Sequence, residues 1–258
     1  MRRGAGDWDP GSYARFRDFR LRPALDLWRA APPPPRDGDL IDLGCGDGAA
    51  GRFLAQAGGR LIGVDASPAM LGRARENAPY DVLHQADIRD WHPETPPALI
   101  FSNAVLHWLP DHEALLPRLA RALMPGGVLA VQLPHQTNAP SHRVWRSLIE
   151  EHFPGRIDGL ALPAILLAAQ YHHILSPLGR FDLWETEYYQ ALPAAGTGHP
   201  VRHFTEATYA RPLLALLDAD ERAHLVAQYE TVMEHAYPRG TDGTVLFPFR
   251  RLFFTLRR

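Results

Sequence analysis

A glycine-rich run, DLGCGDG at residues 42–48, has the composition of a loop that binds a ligand through its backbone. It follows an apolar segment at 40–43 and precedes a helical pattern near 49–57. Glycines at such a turn allow a tight bend and a close approach of the backbone to a ligand, beside the positive end of a helix. The run also fits the dinucleotide-binding pattern GxGxx[GA], so alone it does not decide the ligand class.

Three aspartates at the ends of predicted strands narrow this choice. Asp65 closes the second predicted strand 19 residues after Gly46 and suits ribose hydroxyls in either ligand class. Asp42 stands two residues before the first glycine, where a carboxylate would repel a pyrophosphate but suits a ligand with cationic amino and sulfonium groups. Asp87 follows the third strand, where it could accept a hydrogen bond from an adenine amino group, with Ile88 as an apolar wall. The joint spacing favours the cationic ligand over a dinucleotide.

Composition excludes several other chemistries. All 27 positively charged residues are arginine and lysine is absent, which rules out a P-loop lysine, a pyridoxal Schiff base and a lysine nucleophile. The single cysteine, Cys45, excludes disulfides and thiolate zinc sites and suits a cytoplasmic location. No HExxH motif occurs, and the adjacent His172 and His173 point apart on a helix, so we expect no metal.

The charge and hydropathy patterns bound the partners. A formal net charge of -2 argues against nucleic-acid binding as the main activity. No apolar run approaches the ~20 residues that span a bilayer. The first residues lack the apolar segment of a signal peptide. We therefore expect a small-molecule substrate, neither nucleic acid nor membrane as a partner, and we leave the oligomeric state open.

The elements that position these residues follow from alternating apolar runs and helical patterns. Strands are predicted at 40–43, 60–64, 82–84, 98–102, 128–133, 180–192 and 245–256. Helices are predicted at roughly 10–30, before the prolines at 32–35, and between the later strands, with Ser67 as one N-cap and PGG at 125–127 as one stop. The pattern predicts an α/β fold with a mostly parallel seven-stranded sheet and helices on both faces.

These features resemble the class I S-adenosylmethionine-dependent methyltransferases, and longer stretches are similar to the trans-aconitate methyltransferase family. Those stretches are DWDP at 7–10, RLRPA at 20–24, FSNAVLHWLPDH at 101–112, WET at 184–186 and LFPFRRLF at 246–253. The resemblance implies one Rossmann-like methyltransferase domain over 1–258. It would comprise an N-terminal helical lid and proline connector at 1–35, a cofactor-binding half at 36–134, and an acceptor-side half at 135–258 with helical insertions at about 139–177 and 203–236.

The implied activity is S-adenosylmethionine-dependent formation of a methyl ester on a small polycarboxylate, typically trans-aconitate. Gly44 and Gly46 would pass the methionine part, and Asn103 would lie beside the transferring methyl group. The full set expected to bind the cofactor is Tyr13, Arg22, Asp42, Gly44, Gly46, Asp65, Ala66, Asp87, Ile88 and Asn103. A carboxylate acceptor is already ionised at neutral pH, so we expect no catalytic base, and His107 is only a weak candidate.

A polyanionic acceptor requires cations, and the planar guanidinium of arginine binds carboxylates in a bidentate manner. Arg20, Arg143 and Arg211, together with Trp108, are the expected substrate-binding residues. Arg20 and Arg22 rank first, because the N-terminal helix commonly covers the ligand cleft of this fold. We therefore expect these arginines to converge on one cleft beside the glycine loop.

One segment departs from the family pattern. The family usually carries Trp-Val-(Lys/Arg)-Gly-Thr-Gly-Leu-Arg-Pro where this chain has FTEATYARP at 204–212. Glu206 replaces the basic residue, and Ala207 and Tyr209 replace the two glycines, which weakens the assignment of the acceptor but not that of the cofactor. The alternatives are a methyltransferase for another small acceptor, a nicotinamide-dependent oxidoreductase, and a non-catalytic S-adenosylmethionine-binding module.

Overall fold

The computed structural model describes residues 17–160 and 162–258, and side chains from residue 21 onward. Its strands form one sheet of seven members. In chain order they are β1 (Leu40–Leu43), β2 (Leu61–Asp65), β3 (Val82–Gln85), β4 (Leu99–Asn103), β5 (Val128–Pro134), β6 (Arg180–Leu192) and β7 (Val245–Arg257). The spatial order is β3-β2-β1-β4-β5-β7-β6, which confirms the predicted seven-stranded α/β sheet.

The first five strands pair in parallel, so their carboxyl ends meet at one edge of the sheet. Asp42 of β1 is in register with Gly63 of β2 and with Phe101 of β4. The last strand runs antiparallel to β5, because Gly126, just before β5, donates to the carbonyl of Arg258, whereas His135, just after β5, donates to that of Arg250. The sheet is therefore mostly parallel.

Burial on both faces explains why the central strands are mostly apolar and do not alternate with polar residues. All four residues of β1 are buried, and β4 and β5 are buried except at their last residues. Strands covered on both faces lose the alternation of polar and apolar residues. In β6, at the edge of the sheet, exposed residues alternate largely with half-buried ones.

The helices begin and end close to the predicted signals. They are α1 (Arg17–Ala30), α2 (Gly51–Leu54), α3 (Pro68–Asn77), α4 (His112–Ala122), α5 (Pro140–His152), α6 (Ala168–Leu175), α7 (Pro200–Glu206), α8 (Arg211–Leu214) and α9 (Ala219–Ala236). The Ser67 hydroxyl accepts from the Met70 amide, which confirms the predicted N-cap of α3. Helix α4 ends at Ala122, just before the predicted stop. Within the described ranges, no helix combines the length and apolarity needed to cross a bilayer.

The chain divides into two compact units. The first comprises the described residues up to Pro134, together with Ile165–Thr186 and Leu252–Arg258. Its core packs β1, β2, β4 and β5 against α4 and α6 and includes Leu43, Ile100, Tyr171 and Phe254. The glycine run, the three aspartates and Asn103 belong to this unit.

The second unit comprises His135–Ala164 and Glu187–Arg251 and is rich in buried aromatic rings. Trp145 of α5 stacks on Tyr229 of α9 with centroids 3.7 Å apart, and its indole N–H donates to Thr205 Oγ1 at 2.9 Å. The expected division into halves at 36–134 and 135–258 stays a prediction. However, residues 165–186 and 252–258, expected in the acceptor-side half, belong to the first unit. The single-domain interpretation stays a prediction.

Candidate functional site

The glycine run forms the turn from β1 to α2 at the carboxyl edge of the sheet. Gly44 and Gly46 have φ values of +77° and +54°, a region that side chains of other residues rarely adopt. A Cβ at Gly44 would overlap the Val105 side chain, so glycine lets the loop pass close to the chain after β4. A Cβ at Gly46 would meet no atom within 4 Å, so this glycine faces open space. The loop thus presents bare backbone to a cleft.

That cleft lies between the glycine run, the end of β4 and α1. It encloses about 480 Å³ of space between atoms, including a part that is open to solvent. Its lining residues are Leu21, Ala24, Asp42, Gly44, Cys45, Gly46, Asp47, Ala49, Ala50 and Asn103. Predicted site residues from β1, the loop and β4 therefore share one cleft.

Asp65, at the end of β2, ties two loops together. Its Oδ2 accepts from the Gly46 amide and its Oδ1 from the Ser67 amide, both at 2.9 Å. The carboxylate is half-buried at the carboxyl edge of the sheet, and the following Ala66 is exposed. Asp65 therefore sets the position of the glycine turn relative to the start of α3. Its contact with a ribose stays a prediction.

Asp42 is a buried carboxyl group beside the loop. Its residue is 2% exposed, and the Tyr80 hydroxyl donates to its Oδ2 at 2.6 Å. Burial raises the pKa of Asp42 to about 7; the Tyr80 hydrogen bond works against this rise, and the negative charges of Asp65 and Asp47 add to it. Two protonation states are thus accessible near neutral pH. The sequence did not point to Tyr80.

Asp87 and Ile88 lie on the segment that follows β3. Arg89 donates its backbone N–H to Asp87 Oδ1 at 2.9 Å, and its guanidinium binds both carboxylate oxygens, which lowers the pKa of Asp87. An ionised carboxylate has about four acceptor positions, so this ion pair leaves capacity for a further donor. Ile88 is buried in the core of the first unit. Their framing of an adenine stays a prediction.

Asn103, the last residue of β4, lines the cleft and has an unsatisfied acceptor. Its Oδ1 is buried and has no hydrogen-bond partner among the described residues. A buried polar atom in a native protein usually has a partner, so an orphaned one at a cleft points to a ligand that donates to it. The side chain lines the same cleft as Gly46 and Asp42.

His107 and Trp108 lie on a single 3-10 turn, Leu106–Trp108, that follows β4. Both are half-buried, and their ring centroids are 5.2 Å apart. The turn is held by His112, a residue the sequence analysis did not single out, whose Nε2 lies 2.9 Å from the Leu106 carbonyl oxygen. The Tyr171 hydroxyl lies 2.7 Å from the other ring nitrogen. Because the carbonyl only accepts, Nε2 carries the proton and Nδ1 accepts from Tyr171.

Of the two arginines predicted on the N-terminal helix, the structure describes the side chain of Arg22. Arg22 does not line the cleft: its exposed guanidinium binds the Asp26 carboxylate one helical turn away, at 2.9 and 3.0 Å. The face of α1 that lines the cleft carries Leu21 and Ala24, three residues apart, and Arg22 lies off that face. Tyr13 and the side chain of Arg20 lie outside the described part of the chain.

The other two arginines belong to the second unit. Arg143 is exposed on α5, and Arg211 is half-buried at the start of α8. The first-unit cleft described above draws its lining from neither. Their binding of acceptor carboxylates therefore stays a prediction.

The family-divergent segment is built into the second unit. Arg202 donates to Glu206 at 2.9 Å, and Arg222 lies 3.6 Å from the same carboxylate, so the acidic charge is offset locally. Tyr209 is 5% exposed and its ring packs on His142 at 4.6 Å. Both substitutions thus have a role in the packing of this unit.

Over residues 17–160 and 162–258, no three His, Cys, Asp or Glu side chains are grouped to hold a metal ion. His199 and His203 have the i,i+4 spacing of some metal ligands. Their Nε2 atoms instead lie at 3.1 and 2.6 Å from the carbonyl oxygens of Tyr237 and Thr197.

Comparison with known sequences gives full-length relatives. A family of proteins described as having a methyltransferase domain matches residues 13–177 of this chain. A trans-aconitate 2-methyltransferase of Methylobacterium nodulans is 42% identical over 98% of both chains. One of Azoarcus sp. is 41% identical over 97% of this chain and 99% of its own. One of Escherichia coli is 38% identical over 98% of both.

Solved structures with the same fold are more distant in sequence. An S-adenosylmethionine-dependent methyltransferase from Mesorhizobium loti has a TM-score of 0.51 at 18% identity, covering 91% of this chain and 96% of that one. A Haemonchus contortus phosphoethanolamine N-methyltransferase 2, solved with phosphomonomethylethanolamine and S-adenosylhomocysteine, has a TM-score of 0.52 at 19% identity, covering 91% of this chain and 52% of that one. At these identities the likeness shows the fold alone.

Proposed function

The chain belongs to the trans-aconitate 2-methyltransferase family, and on that premise we propose that it methylates a carboxylate of trans-aconitate or of a closely related small polycarboxylate, with S-adenosylmethionine as methyl donor. The observation that carries the proposal is the first-unit cleft, which is lined both by the bare backbone at Gly46 and by Asn103, whose Oδ1 has no partner among the described residues.

The residues of this cleft fit the donor. Gly44 and Gly46 offer backbone, Asp42 offers a carboxylate for a cationic ammonium or sulfonium, and Asn103 offers an acceptor. Asp65 and Ala66 would hold the ribose, with Asp87 and Ile88 at the adenine. When bound, S-adenosylmethionine supplies an electrophilic methyl group on a sulfonium sulfur. The buried Asp42 counts against a dinucleotide, because its charge would repel a pyrophosphate.

The chemistry asks little of acid–base groups. A carboxylate oxygen of the acceptor bonds to the methyl carbon as the carbon–sulfur bond breaks, which leaves a methyl ester and S-adenosylhomocysteine. Because the acceptor has no proton to lose, no residue acts as a base. The protein orients the reactants and excludes water, which can contribute roughly 7–11 kcal/mol in the best intramolecular cases. Asn103 and the Leu106–Trp108 turn are the groups proposed to do so.

The acceptor is a polyanion, and arginines are the strong cations available to it. We assign Arg20, Arg143 and Arg211 to its carboxylates, with Trp108 as an apolar wall. Glu206 does not argue against an anionic acceptor, because Arg202 and Arg222 offset its charge. A cytoplasmic setting agrees with the single, buried Cys45.

The test is a methyl-transfer assay with isotope-labelled S-adenosylmethionine against a panel of di- and tricarboxylates. We expect a labelled monomethyl ester of trans-aconitate, identified by mass spectrometry, and much slower turnover of dicarboxylates. Absence of an ester from every acid in the panel would overturn the assigned acceptor. Tight binding of a nicotinamide dinucleotide and none of S-adenosylhomocysteine would overturn the assigned cofactor.

A further inference from the structure

Tyr80 lies between α3 and β3, and its ring packs against the glycine loop. A Cβ at Gly51 would come within 2.6 Å of its ring, at Gly63 within 3.0 Å and at Gly48 within 3.2 Å. Gly48 ends the glycine run, Gly51 begins α2 and Gly63 lies in β2, so the ring of one tyrosine packs against all three positions where a side chain is missing. Ring and loop therefore form a single packed unit.

The hydroxyl of this ring reaches the carboxyl group of Asp42. The donor–acceptor distance is 2.6 Å, typical of an O–H···O bond to a charged acceptor. Asp42 is almost fully buried yet lines the cleft, whereas Tyr80 is not among the residues that line the cleft. Tyr80 therefore binds the Asp42 carboxyl group without lining the cleft itself. A hydrogen bond of this kind fixes the direction of the carboxyl group and favours its ionised form.

The other described groups around Asp42 do not stabilise its charge. Asp65 at the end of β2 and Asp47 in the loop are acidic, and Cys45 is a buried thiol. Asn103 at the end of β4 and Leu21 and Ala24 on α1 line the same cleft and do not titrate.

We propose that Tyr80 is a positioning residue for the ligand: its hydroxyl favours the carboxylate form of Asp42 and directs it at the cleft, where Asp42 binds the ammonium group of the cofactor's amino-acid end. This rests on the proposed function. No contact between Tyr80 and the ligand is required, because the tyrosine acts through the carboxylate.

The role has a pH signature. Burial raises the pKa of Asp42 to about 7, and the hydroxyl opposes that rise. Removal of the hydroxyl moves the pKa further up, so the ionised fraction of Asp42 falls by a larger factor at pH 6.5 than at pH 8.5. The affinity lost in the variant is therefore large at the lower pH and small at the higher one.

The experiment is calorimetric binding to the full chain and to Tyr80→Phe at pH 6.5 and 8.5. Phenylalanine keeps the ring among the three glycines and removes only the hydroxyl. The ligands are S-adenosylhomocysteine, which carries the ammonium group, and 5′-methylthioadenosine, which lacks the amino-acid end. For S-adenosylhomocysteine we expect binding about five- to tenfold weaker at pH 6.5 and less than about twofold weaker at pH 8.5. For 5′-methylthioadenosine we expect no change.

Asp42→Asn supplies the companion variant, because an amide cannot ionise. We expect Tyr80→Phe to cause no further loss of affinity in the Asp42→Asn background. Equal loss of both ligands, or a loss of S-adenosylhomocysteine that is the same at both pH values, would mean that Tyr80 only packs the loop and would overturn the proposal. Parent protein that binds neither ligand would overturn the proposed function as well, whereas parent binding with an unaffected variant would overturn the inference alone.

Discussion

Asp65 links the glycine turn to the start of α3, because it accepts from the backbone amides of Gly46 and Ser67. Hydrogen bonds to a charged group are worth about 1.5–3 kcal/mol, and loss of the partner leaves an amide unsatisfied. The turn therefore depends on this carboxylate whether or not a ligand touches it. A substitution at Asp65 should lower the affinity for the methyl donor by displacing the loop.

We expect Asp65→Asn to weaken binding of labelled S-adenosylmethionine, measured by equilibrium dialysis, by about 10- to 100-fold. The matched control is Asp81→Asn at the other end of β2, where the Asp81 carboxylate accepts from the Leu61 amide at 2.7 Å. The control should cost stability and leave the affinity unchanged. Similar losses of affinity in both variants would contradict a local role for Asp65.

At the scale of single residues, the sequence predicts the site residues that belong to a recognisable motif and misses those that belong to none. Asp42, Gly44, Gly46 and Asn103 were expected in one cleft, and they line one. Tyr80 went unnoticed because it is 38 residues from its partner and belongs to no pattern. Arg22 carried the right charge for a ligand, but helix geometry directs it to Asp26.

The turn that carries His107 and Trp108 depends on the helix that follows it, α4, and on α6, which is distant in sequence. His112, the first residue of α4, donates its Nε2–H to the Leu106 carbonyl, and the hydroxyl of Tyr171 in α6 donates to Nδ1 of the same ring. The Tyr171 hydroxyl also accepts from the Leu166 amide at 3.1 Å. Burial lowers the pKa of His112, in agreement with the neutral ring that this chain of bonds requires.

Tyr171→Phe should therefore loosen the turn. We expect an unfolding free energy lower by about 1–3 kcal/mol, since the Leu166 amide and His112 both lose a partner in a buried site. Hydrogen exchange should become faster at the Trp108 and Leu109 amides, which bond within the turn. The Ile100 amide in β4 serves as the internal control, and equal acceleration there would indicate general unfolding instead.

Elements were predictable wherever local patterns decide them. Apolar runs and the Ser67 cap located the central strands and α3 to within a few residues. The predicted helical stretch at 203–236 contains parts of three helices, because short breaks near Ala207 and Ala215 leave no clear stop signal. The bond from His112 to Tyr171 spans 59 residues, beyond the reach of any periodicity.

For the whole molecule, buried titratable groups set the pH dependence of stability. Burial lowers the pKa of His142 to about 3, and it also lowers the pKa values of His112 and His199. Below pH 6.5, the ordinary pKa of histidine, these rings are protonated in the unfolded chain but stay neutral in the folded one. The unfolding free energy therefore falls as pH falls. Asp42, with its raised pKa, acts in the opposite direction between about pH 7 and 3.8.

His142 provides the test of this balance. Among the described residues, its ring nitrogen Nδ1 bonds to Ser141 Oγ in the second unit at 2.9 Å. We expect His142→Asn to flatten the fall in unfolding free energy between pH 6.5 and 5 by up to about 1.4 kcal/mol per pH unit, measured by urea titration. The exposed His173 offers the control His173→Asn, which should keep the parent slope. An unchanged slope in His142→Asn would contradict the assignment.

The division into two units was the least predictable feature. Residues 165–186 and 252–258 contribute Tyr171, Leu252 and Phe254 to the core of the first unit, although most of the preceding chain from 135 builds the second. Composition changes little along the chain, and no linker marks the return. Membership of a unit depends on long-range contacts that apolar periodicity does not encode.

This return of the chain has a consequence during synthesis on the ribosome. β7 supplies Leu252, Phe254 and Leu256 to the core that underlies the glycine turn, yet all of the second unit is translated before them. The first 134 residues therefore cannot complete their core, and part of their apolar surface stays uncovered, until more than 100 further residues have emerged. Nascent chains of this protein are expected to need chaperone protection over that interval.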